Sequence, residues 1–360
     1  MRSRLLPNGR WWGAALPVLA ALATISAAPA SKNSFTVHNL VSDGAVPAEN
    51  TDLNLINSWG IARSTGSPWW VANADSGTST LYDGAGNPQS LVVQVPGNPT
   101  GIVFNGGASF VISDGTFSGP ARFLFASEDG TIVGWSPAVP PPAPSHQAFV
   151  AVPNAGAGAS YKGLAIATTS SGDFLYAADF HNARVDVFDG SFHPVTTPGG
   201  FVDPDLPQGY APFGIQNLLG QIYVAYAKQD EDGEEEVAGE GLGFVSVFNT
   251  AGTFLSRVAS RGPLNAPWGM TIAPAGFGRF SGNLLVGNFG DGRINAYDLQ
   301  TSEPRGHLKT ADITRSRSTG CGASASVMEP PRARPRPSSS PPAPRKRLTA
   351  FSGRSRSTRV

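Results

Sequence analysis

The order of hydrophobic and polar positions repeats along the chain. Each copy opens with a short segment in which a Gly is followed by apolar residues. The Gly residues of successive copies are 41, 62, 51 and 55 positions apart, which leaves room for four strands and their turns. We call these segments the openers; they are SWGIA (58–62), PTGIV (99–103), YKGLA (161–165), PFGIQ (212–216) and PWGMT (267–271).

Two further strand-like segments follow each opener, with a polar turn between them, as in FLYAADFHNARVDVFDG (174–190). The first segment is dense in apolar residues, which is typical of a strand buried on both faces. The second alternates between apolar and polar residues, which is typical of a half-buried strand. Outer strands follow at SLVVQV (90–95), QAFVAV (147–152) and TFLSRV (253–258). Four strands repeated around a ring predict an all-β fold, a β-propeller, rather than a sandwich of unrelated strands.

The blade count comes from a strand that has no blade of its own. Phe35 to Leu40 has strand character and precedes the first opener. Such a strand can complete the last blade and close the ring, which removes open sheet edges. Five complete repeats are visible, so we expect six blades, with the sixth following Leu299.

The composition changes abruptly where that sixth blade is expected. Residues 313–360 hold eleven Lys and Arg against one Glu and are rich in Pro and Ser, which predicts a disordered basic tail. Read one nucleotide earlier with GC-rich codons, residues 315–326 give PIAIDGLWGLSF, a further Trp-Gly opener. The segment from Ser338 gives LFFTAGPAEETHGLF in the same frame. We therefore predict a propeller over 31–312 and a frameshift near Asp312 to Thr314.

The N-terminus predicts a secretory signal over residues 1–30. Three Arg residues precede an apolar run from Trp11 to Ile25, and Ala28-Pro29-Ala30 is a small-x-small cleavage site. The run is shorter than the roughly 20 residues of a spanning helix, so we expect no membrane span after cleavage. This predicts a secreted or periplasmic protein. Cys321 is the single cysteine, so an intramolecular disulfide is excluded.

The formal net charge of zero hides a strongly acidic body. Without the first 30 and the last 48 residues, 12 basic residues stand against 25 acidic ones, a net charge of −13. Phosphates would be repelled by such a body, so nucleic acid and anionic lipid are not expected partners. We expect a monomer whose partner is a small molecule or a protein at the mouth of the channel.

Three stretches resemble an uncharacterised family of exported bacterial propeller proteins found in genomes with the PEP-CTERM sorting system. They are NLVSDGAVPAENTDLNLINSWGIA (39–62), YAADFHNARVDVFDGSF (176–192) and PFGIQNL (212–218). More distantly, the blade pattern is similar to NHL-type propellers. The resemblance implies a propeller but no activity. The last 48 residues depart from the family pattern.

Candidate site residues lie at the ends of the predicted inner strands, which ring one mouth in a propeller. An alternative is that these residues only form turns, because Asp and Asn hydrogen-bond their own backbone in tight turns. The ligand-binding candidates are Asn73, Asp75, Glu128, Asp179, Asn288 and Asp291, with Asp129 and Asn182 beside them.

Two functions remain open from the sequence. The first is a non-catalytic exported scaffold that binds a ligand or protein at one mouth, without a cofactor. The second is a metal-dependent hydrolase of the sugar-lactonase kind, in which Ca²⁺ would be held by Glu128, Asn73, Asp179 and Asn288 and would activate a water. His181 is the candidate general base. The acidic segment 229–241 lacks EF-hand spacing and predicts a solvated hairpin loop.

Overall fold

The computed structural model describes residues 34–153, 158–309, 325–326 and 347–352, and the predicted signal segment lies outside them. Apart from one 3-10 turn at Gly278–Phe280, the described elements are strands. In chain order they are β1 (Thr36–Ser42), β2 (Asn50–Thr51), β3 (Ser58–Ala62), β4 (Trp69–Asn73), β5 (Thr78–Tyr82), β6 (Pro88–Gln94), β7 (Pro99–Phe104), β8 (Val111–Ser113), β9 (Ser118–Pro120), β10 (Phe123–Ser127), β11 (Ile132–Trp135), β12 (Phe149–Val152), β13 (Tyr161–Thr169), β14 (Gly172–Asp179), β15 (Arg184–Asp189), β16 (Tyr210–Leu218), β17 (Gln221–Lys228), β18 (Gly243–Phe248), β19 (Phe254–Ser260), β20 (Pro267–Ile272), β21 (Leu284–Asn288), β22 (Ile294–Tyr297), β23 (Pro304–His307), β24 (Ala325–Ser326) and β25 (Arg347–Ser352).

The strands form five antiparallel blades of a β-propeller. Blade I is β3-β4-β5-β6, blade II is β7-β10-β11-β12, blade III is β13-β14-β15, blade IV is β16-β17-β18-β19 and blade V is β20-β21-β22-β23. The hairpin β8-β9 is inserted in blade II. The opener is the first strand of every blade and pairs on one side only, so its free edge faces the channel. The all-β propeller and its five visible repeats are confirmed.

Blade III has three strands where the repeat pattern predicts four. The segment after β15 pairs with it only briefly: Asp189 N donates to His193 O and Val195 N donates to Val187 O, on either side of an isolated bridge at Pro194. This short ladder does not extend into a fourth strand.

Adjacent blades are held together by apolar side chains at their shared faces. Four clusters join blades I–II, II–III, III–IV and IV–V in turn. One repeat position on the second strand of each blade faces the preceding blade. In blades II to V this position is buried, with exposures of 3%, 0%, 0% and 0% for Phe123, Leu175, Ile222 and Leu284. The equivalent residue of blade I is Trp69, which is half-buried. Within the described residues, blades V and I therefore do not pack along their faces as the other neighbours do, and they touch each other mainly at the axis.

The strand β1 spans the space between blades V and I, which we call the V–I slot. Phe35, just before β1, packs on Phe277 of blade V with ring centroids 4.8 Å apart. At its other end Leu40 and Val41 cluster with Tyr82 of blade I. The predicted ring-closing strand thus contacts both blades. It covers only part of the slot, since Ile61 and Ile294 at its walls stay half-buried.

The described residues form no antiparallel sixth blade. Instead β1 pairs in parallel with β25 and with the two residues of β2, and β24 pairs with β25. The composition of residues 313–360 predicted no strand, so β25 differs from that expectation. Its Leu-Thr-Ala-Phe sequence is one short segment of the tail with strand propensity, and an open edge such as that of β1 is a template for pairing.

Candidate functional site

A β-bulge recurs in every opener and places one side chain of each blade at the channel axis. The register between the opener and the second strand shifts by one residue at the position next to the repeated Gly in all five blades. A bulge bends the strand and re-aims a side chain. The residues before the repeated Gly therefore converge as a pre-glycine ring, made of Trp59, Thr100, Lys162, Phe213 and Trp268.

The repeated Gly itself is explained by the close approach of neighbouring openers. A Cβ atom on Gly214 would lie 1.9 Å from the carbonyl oxygen of Trp268, and one on Gly101 would lie 2.3 Å from the backbone nitrogen of Leu164. Any side chain there would collide with backbone of the next blade. The openers can therefore close around a narrow axis only with Gly at this position.

A second ring of side chains stacks on the first. It consists of one residue at the end of the second strand of each blade, which follows the strand directly in four blades and lies near the end of β17 in blade IV, and we call it the post-strand ring. Its members are Ala74, Glu128, Phe180, Ala227 and Phe289. Apolar members of both rings form one cluster, in which Trp59 stacks on Phe289 at 4.9 Å and meets Trp268 edge-on at 5.6 Å. The two rings together plug the channel at this end, which we call the polar mouth.

One charged residue in each ring forms an ion pair inside the plug. Lys162 is 1% exposed, and its Nζ donates to Glu128 Oε1 over 2.7 Å. The same ammonium lies 3.9 Å from Glu235 and 5.7 Å from the Trp59 ring centroid. Burial alone would lower the pKa of Lys162, but the adjacent carboxylates outweigh it, so the pKa lies above its usual value. Lys162 is therefore a permanent cation at the centre of the polar mouth.

The predicted hairpin loop 229–241 folds over this ion pair. Gln229 bridges to Glu236, and its Nε2 donates to the carbonyl of Phe180 over 2.7 Å, which ties the loop to the post-strand ring. Burial raises the pKa of Glu236 to about 7, and the neighbouring charge of Glu235 adds to this. The loop contains seven carboxylates and no Lys or Arg, so it gives the mouth a negative surface around a buried cation.

Three candidate residues occupy one repeat position and are bonded inside their own blades. Asn73, Asp179 and Asn288 each end the second strand of a blade and are at most 1% exposed. The Asn73 amide donates to Thr78 and Thr80 and accepts from Ser58. These contacts hold the turn between the second and third strands, so Asn73 does not point to the axis.

Asp179 and His181 lie in the turn of blade III. Asp179 accepts from Asn182 Nδ2 over 2.8 Å and lies 3.4 Å from Arg184. Burial raises the pKa of Asp179, although the bonds from Asn182 oppose this. His181 is exposed, and its ring has no hydrogen-bond partner among residues 34–153 and 158–309. A general base oriented by a carboxylate is therefore absent at His181 in the described part of the chain.

The remaining candidates are turn residues at the same mouth. Asn288 Nδ2 donates to Pro263 O over 2.8 Å and to Asp291 Oδ1 over 3.0 Å, while Asn288 Oδ1 is buried and finds no partner within the part of the chain that the structure describes. Asp75 accepts from Asn57 over 2.9 Å. Asp129, next to Glu128, accepts from Thr131.

Of the four metal candidates, the structure brings only Glu128 to the axis, and there it is paired with Lys162. The residues described contain no group of three His, Cys, Asp or Glu side chains placed to hold a metal ion. A buried ammonium at the axis would also repel a divalent cation. This geometry does not favour the hydrolase hypothesis.

Sequence reasoning missed Lys162, Trp59, Trp268 and Glu235 as site residues. The pattern of the openers did contain a usable indication: the position before Gly holds Trp, Thr, Lys, Phe and Trp, and Lys is the charged exception. Glu235 could not be found in this way, because it reaches the axis from a loop outside the repeat. Trp268 is half-buried at the axis.

The channel is open on the far side of the plug. A cavity of about 480 Å³ is lined by the openers of all five blades and leads to the face where the openers end. Arg63 is the one charged side chain that the described residues contribute to its lining. Ligand space therefore exists at the end of the channel opposite the polar mouth.

No helix among the described elements is long and apolar enough to cross a bilayer. No protein-family model matches the chain. The fold resembles those of a nidogen/laminin complex (TM-score 0.46, 13% identity, 71% of this chain and 81% of that one) and of a virginiamycin B lyase from Staphylococcus aureus in its catalytically inactive form with quinupristin (TM-score 0.47, 14% identity, 73% of each chain).

Sequence relatives come from Acanthamoeba polyphaga mimivirus. Two uncharacterised proteins of this virus are each 38% identical to the chain over 277 residues, which is 73% of this chain and 67% and 71% of theirs. A third is 33% identical over 208 residues, covering 56% of this chain and 37% of its own length. The resemblance to an exported bacterial family stays a prediction. Identity at this level over this length shows that the chain belongs to the family of these mimivirus proteins.

Proposed function

We propose that the chain is a non-catalytic binding scaffold that presents the polar mouth to a positively charged protein or peptide. The observation that carries the proposal is the plug: two rings of side chains close the mouth, so a partner meets a surface rather than a cleft. Charge at that surface comes from loop 229–241, which is anchored over the axis. Electrostatic complementarity of this kind steers encounter and fixes orientation.

The candidate catalytic residues support a scaffold over an enzyme. Asn73, Asp179 and Asn288 complete the turns of their blades, and Glu128 neutralises Lys162. Each of these side chains already has a structural task. Metal analysis together with a panel of lactones and esters should therefore show neither bound Ca²⁺ nor turnover. Turnover that Glu128→Gln abolishes would contradict this part of the proposal.

Binding at the polar mouth can be measured by fluorescence anisotropy with a fluorescein-labelled oligolysine peptide. The variant Glu231→Gln/Asp232→Asn/Glu234→Gln neutralises three loop carboxylates and should weaken binding about tenfold. The control Asp43→Asn/Glu49→Gln/Glu303→Gln removes the same charge outside the loop and should leave affinity unchanged. Equal losses in both variants, or no binding by the unmodified protein, would reject the mouth as the binding surface.

We further propose that the protein is exported and acts outside the cytoplasm. Residues 1–30 have the basic, apolar and small-residue regions of a secretory signal. Expressed in a bacterium with a secretion system, the mature protein should begin near Ser31 by mass spectrometry. A mature protein that retains Met1 would show that the segment is not a cleaved signal.

A further inference from the structure

The cavity on the far side of the plug has the size and shape of a small-molecule site. Its volume of about 480 Å³ falls within the range of about 300–1,000 Å³ that is usual for ligand pockets. The plug closes one end, and the other end opens to solvent beside Arg63 and Gln216. A ligand would therefore enter from the face opposite loop 229–241.

Apolar side chains form part of the cavity wall, and polar atoms form the rest. Ile61, Phe104 and Ile166 line the cavity and are half-buried, while Ile102 and Met270 behind them are 7% and 8% exposed. Covering such surface with an apolar ligand is favourable by about 25 cal/mol per Å². The wall therefore suits the hydrocarbon or aromatic part of a ligand.

Charge in the cavity has the opposite sign from charge at the polar mouth. Among the described residues, its lining contains Arg63 and no Asp or Glu. The Arg63 guanidinium lies over the Trp69 ring at 4.6 Å, and within the described residues no carboxylate pairs with it. Stacking holds the guanidinium plane in place while its N–H groups stay available at the rim. The free edges of the five openers add unpaired backbone donors along the wall.

We propose that this cavity binds a small organic monoanion, whose carboxylate is held by Arg63 and whose apolar body lies along the channel. A carboxylate is preferred to a cation because the one charged group of the lining is positive. An amphipathic acid is preferred to a sugar because side chains from several openers give the wall apolar surface. This site is independent of the proposed binding at the polar mouth, from which the plug separates it.

Isothermal titration of the full chain with octanoate tests the proposal. Arg63→Gln should weaken octanoate binding about tenfold, the usual effect of losing one charge-assisted contact. Arg279→Gln is the matched control, because Arg279 also stacks on an aromatic ring, Phe280, at 4.6 Å, but lies outside the cavity. The affinity of the Arg279→Gln variant for octanoate should equal that of the unmodified protein.

A second variant keeps the test decisive if Arg63→Gln does not fold. Gln216 is exposed at the rim, so Gln216→Trp should fold normally and obstruct the entrance, which should abolish octanoate binding. Absence of octanoate binding to the unmodified protein would overturn the proposal. Equal binding by Arg63→Gln, or binding of maltose in place of octanoate, would overturn it as well.

Discussion

Lys162 belongs both to the repeated opener pattern and to the candidate site at the polar mouth. A lysine in an otherwise uncharged ring is tolerated because Glu128, from the neighbouring blade, supplies a carboxylate at 2.7 Å. The sequence predicted Glu128 as a site residue from its place at a strand end. It could not predict the partner, because pairing across blades depends on how the bulges turn each opener about the axis.

The ion pair should be strongly coupled. Lys162→Met would leave the Glu128 carboxylate in a largely apolar plug, and we expect a loss of about 2 kcal/mol in the free energy of unfolding. The double variant Lys162→Met/Glu128→Gln removes both charges and should recover most of that loss. Urea unfolding of the single and double variants measures the coupling. Additive losses would show that the two side chains do not depend on each other.

Glu236 should make stability depend on pH near neutrality. Its pKa is raised from 4.5 to about 7 in the folded protein, so the folded state holds the proton more tightly than the unfolded chain. The stabilisation is fully present below pH 4.5 and is lost as the pH rises through 7. The unmodified protein should therefore lose stability between pH 5 and pH 8, and Glu236→Gln should reduce that loss by about 1–2 kcal/mol. The expected figure is small because a half-buried carboxylate keeps part of its hydration.

The control for this pH dependence lies in the same loop. Glu234→Gln removes a carboxylate that is exposed, and urea unfolding at the two pH values should give the unmodified pH dependence. If the Glu236→Gln variant loses as much stability between pH 5 and pH 8 as the unmodified protein does, another group is responsible for the pH dependence.

At the scale of the element, the opener is where sequence pattern and structure agree most closely. Five copies in a fixed order identified every inner strand, because Gly with flanking apolar residues is required at each contact between blades. The bulge beside the Gly was not predictable, since a one-residue register shift leaves no distinct composition. For the same reason the pattern did not indicate that the bulge turns Trp268 to the axis.

Gly214 tests this account of the opener. Gly214→Ala puts a methyl group 1.9 Å from the Trp268 carbonyl oxygen, so blades IV and V must separate, and we expect a loss of about 1–3 kcal/mol. Gly66→Ala is the control, because no atom lies within 4 Å of a Cβ there. Thermal unfolding should show a lowered Tm for Gly214→Ala alone. Equal Tm values for both variants would contradict the close-packing explanation.

At the scale of the whole molecule, four pairs of neighbouring blades pack along their apolar faces, whereas blades V and I meet at the axis through Trp59 and Phe289 and are bridged by β1. The sequence predicted a closing strand before the first opener and six blades, five of them visible in the translated sequence; the described residues show the closing strand as β1 and form five blades. It did not predict β25 beside β1, because pairing to an open edge needs little more than a short segment of suitable length. The frameshift near Asp312 that would have removed the sixth blade stays a prediction. Resequencing of the gene would test it.

Hydrogen–deuterium exchange of the chain, followed by mass spectrometry, tests the central structural claim most directly. Strands β4 and β22 face the V–I slot, and we predict that their amides exchange faster than those of β10, β14 and β17, whose blades are packed on both sides. Restoring the reading frame near Asp312 should slow exchange in β4 and β22 and raise Tm. Equal protection of all five blades in the chain as it stands would contradict the claim that contact between blades V and I is incomplete.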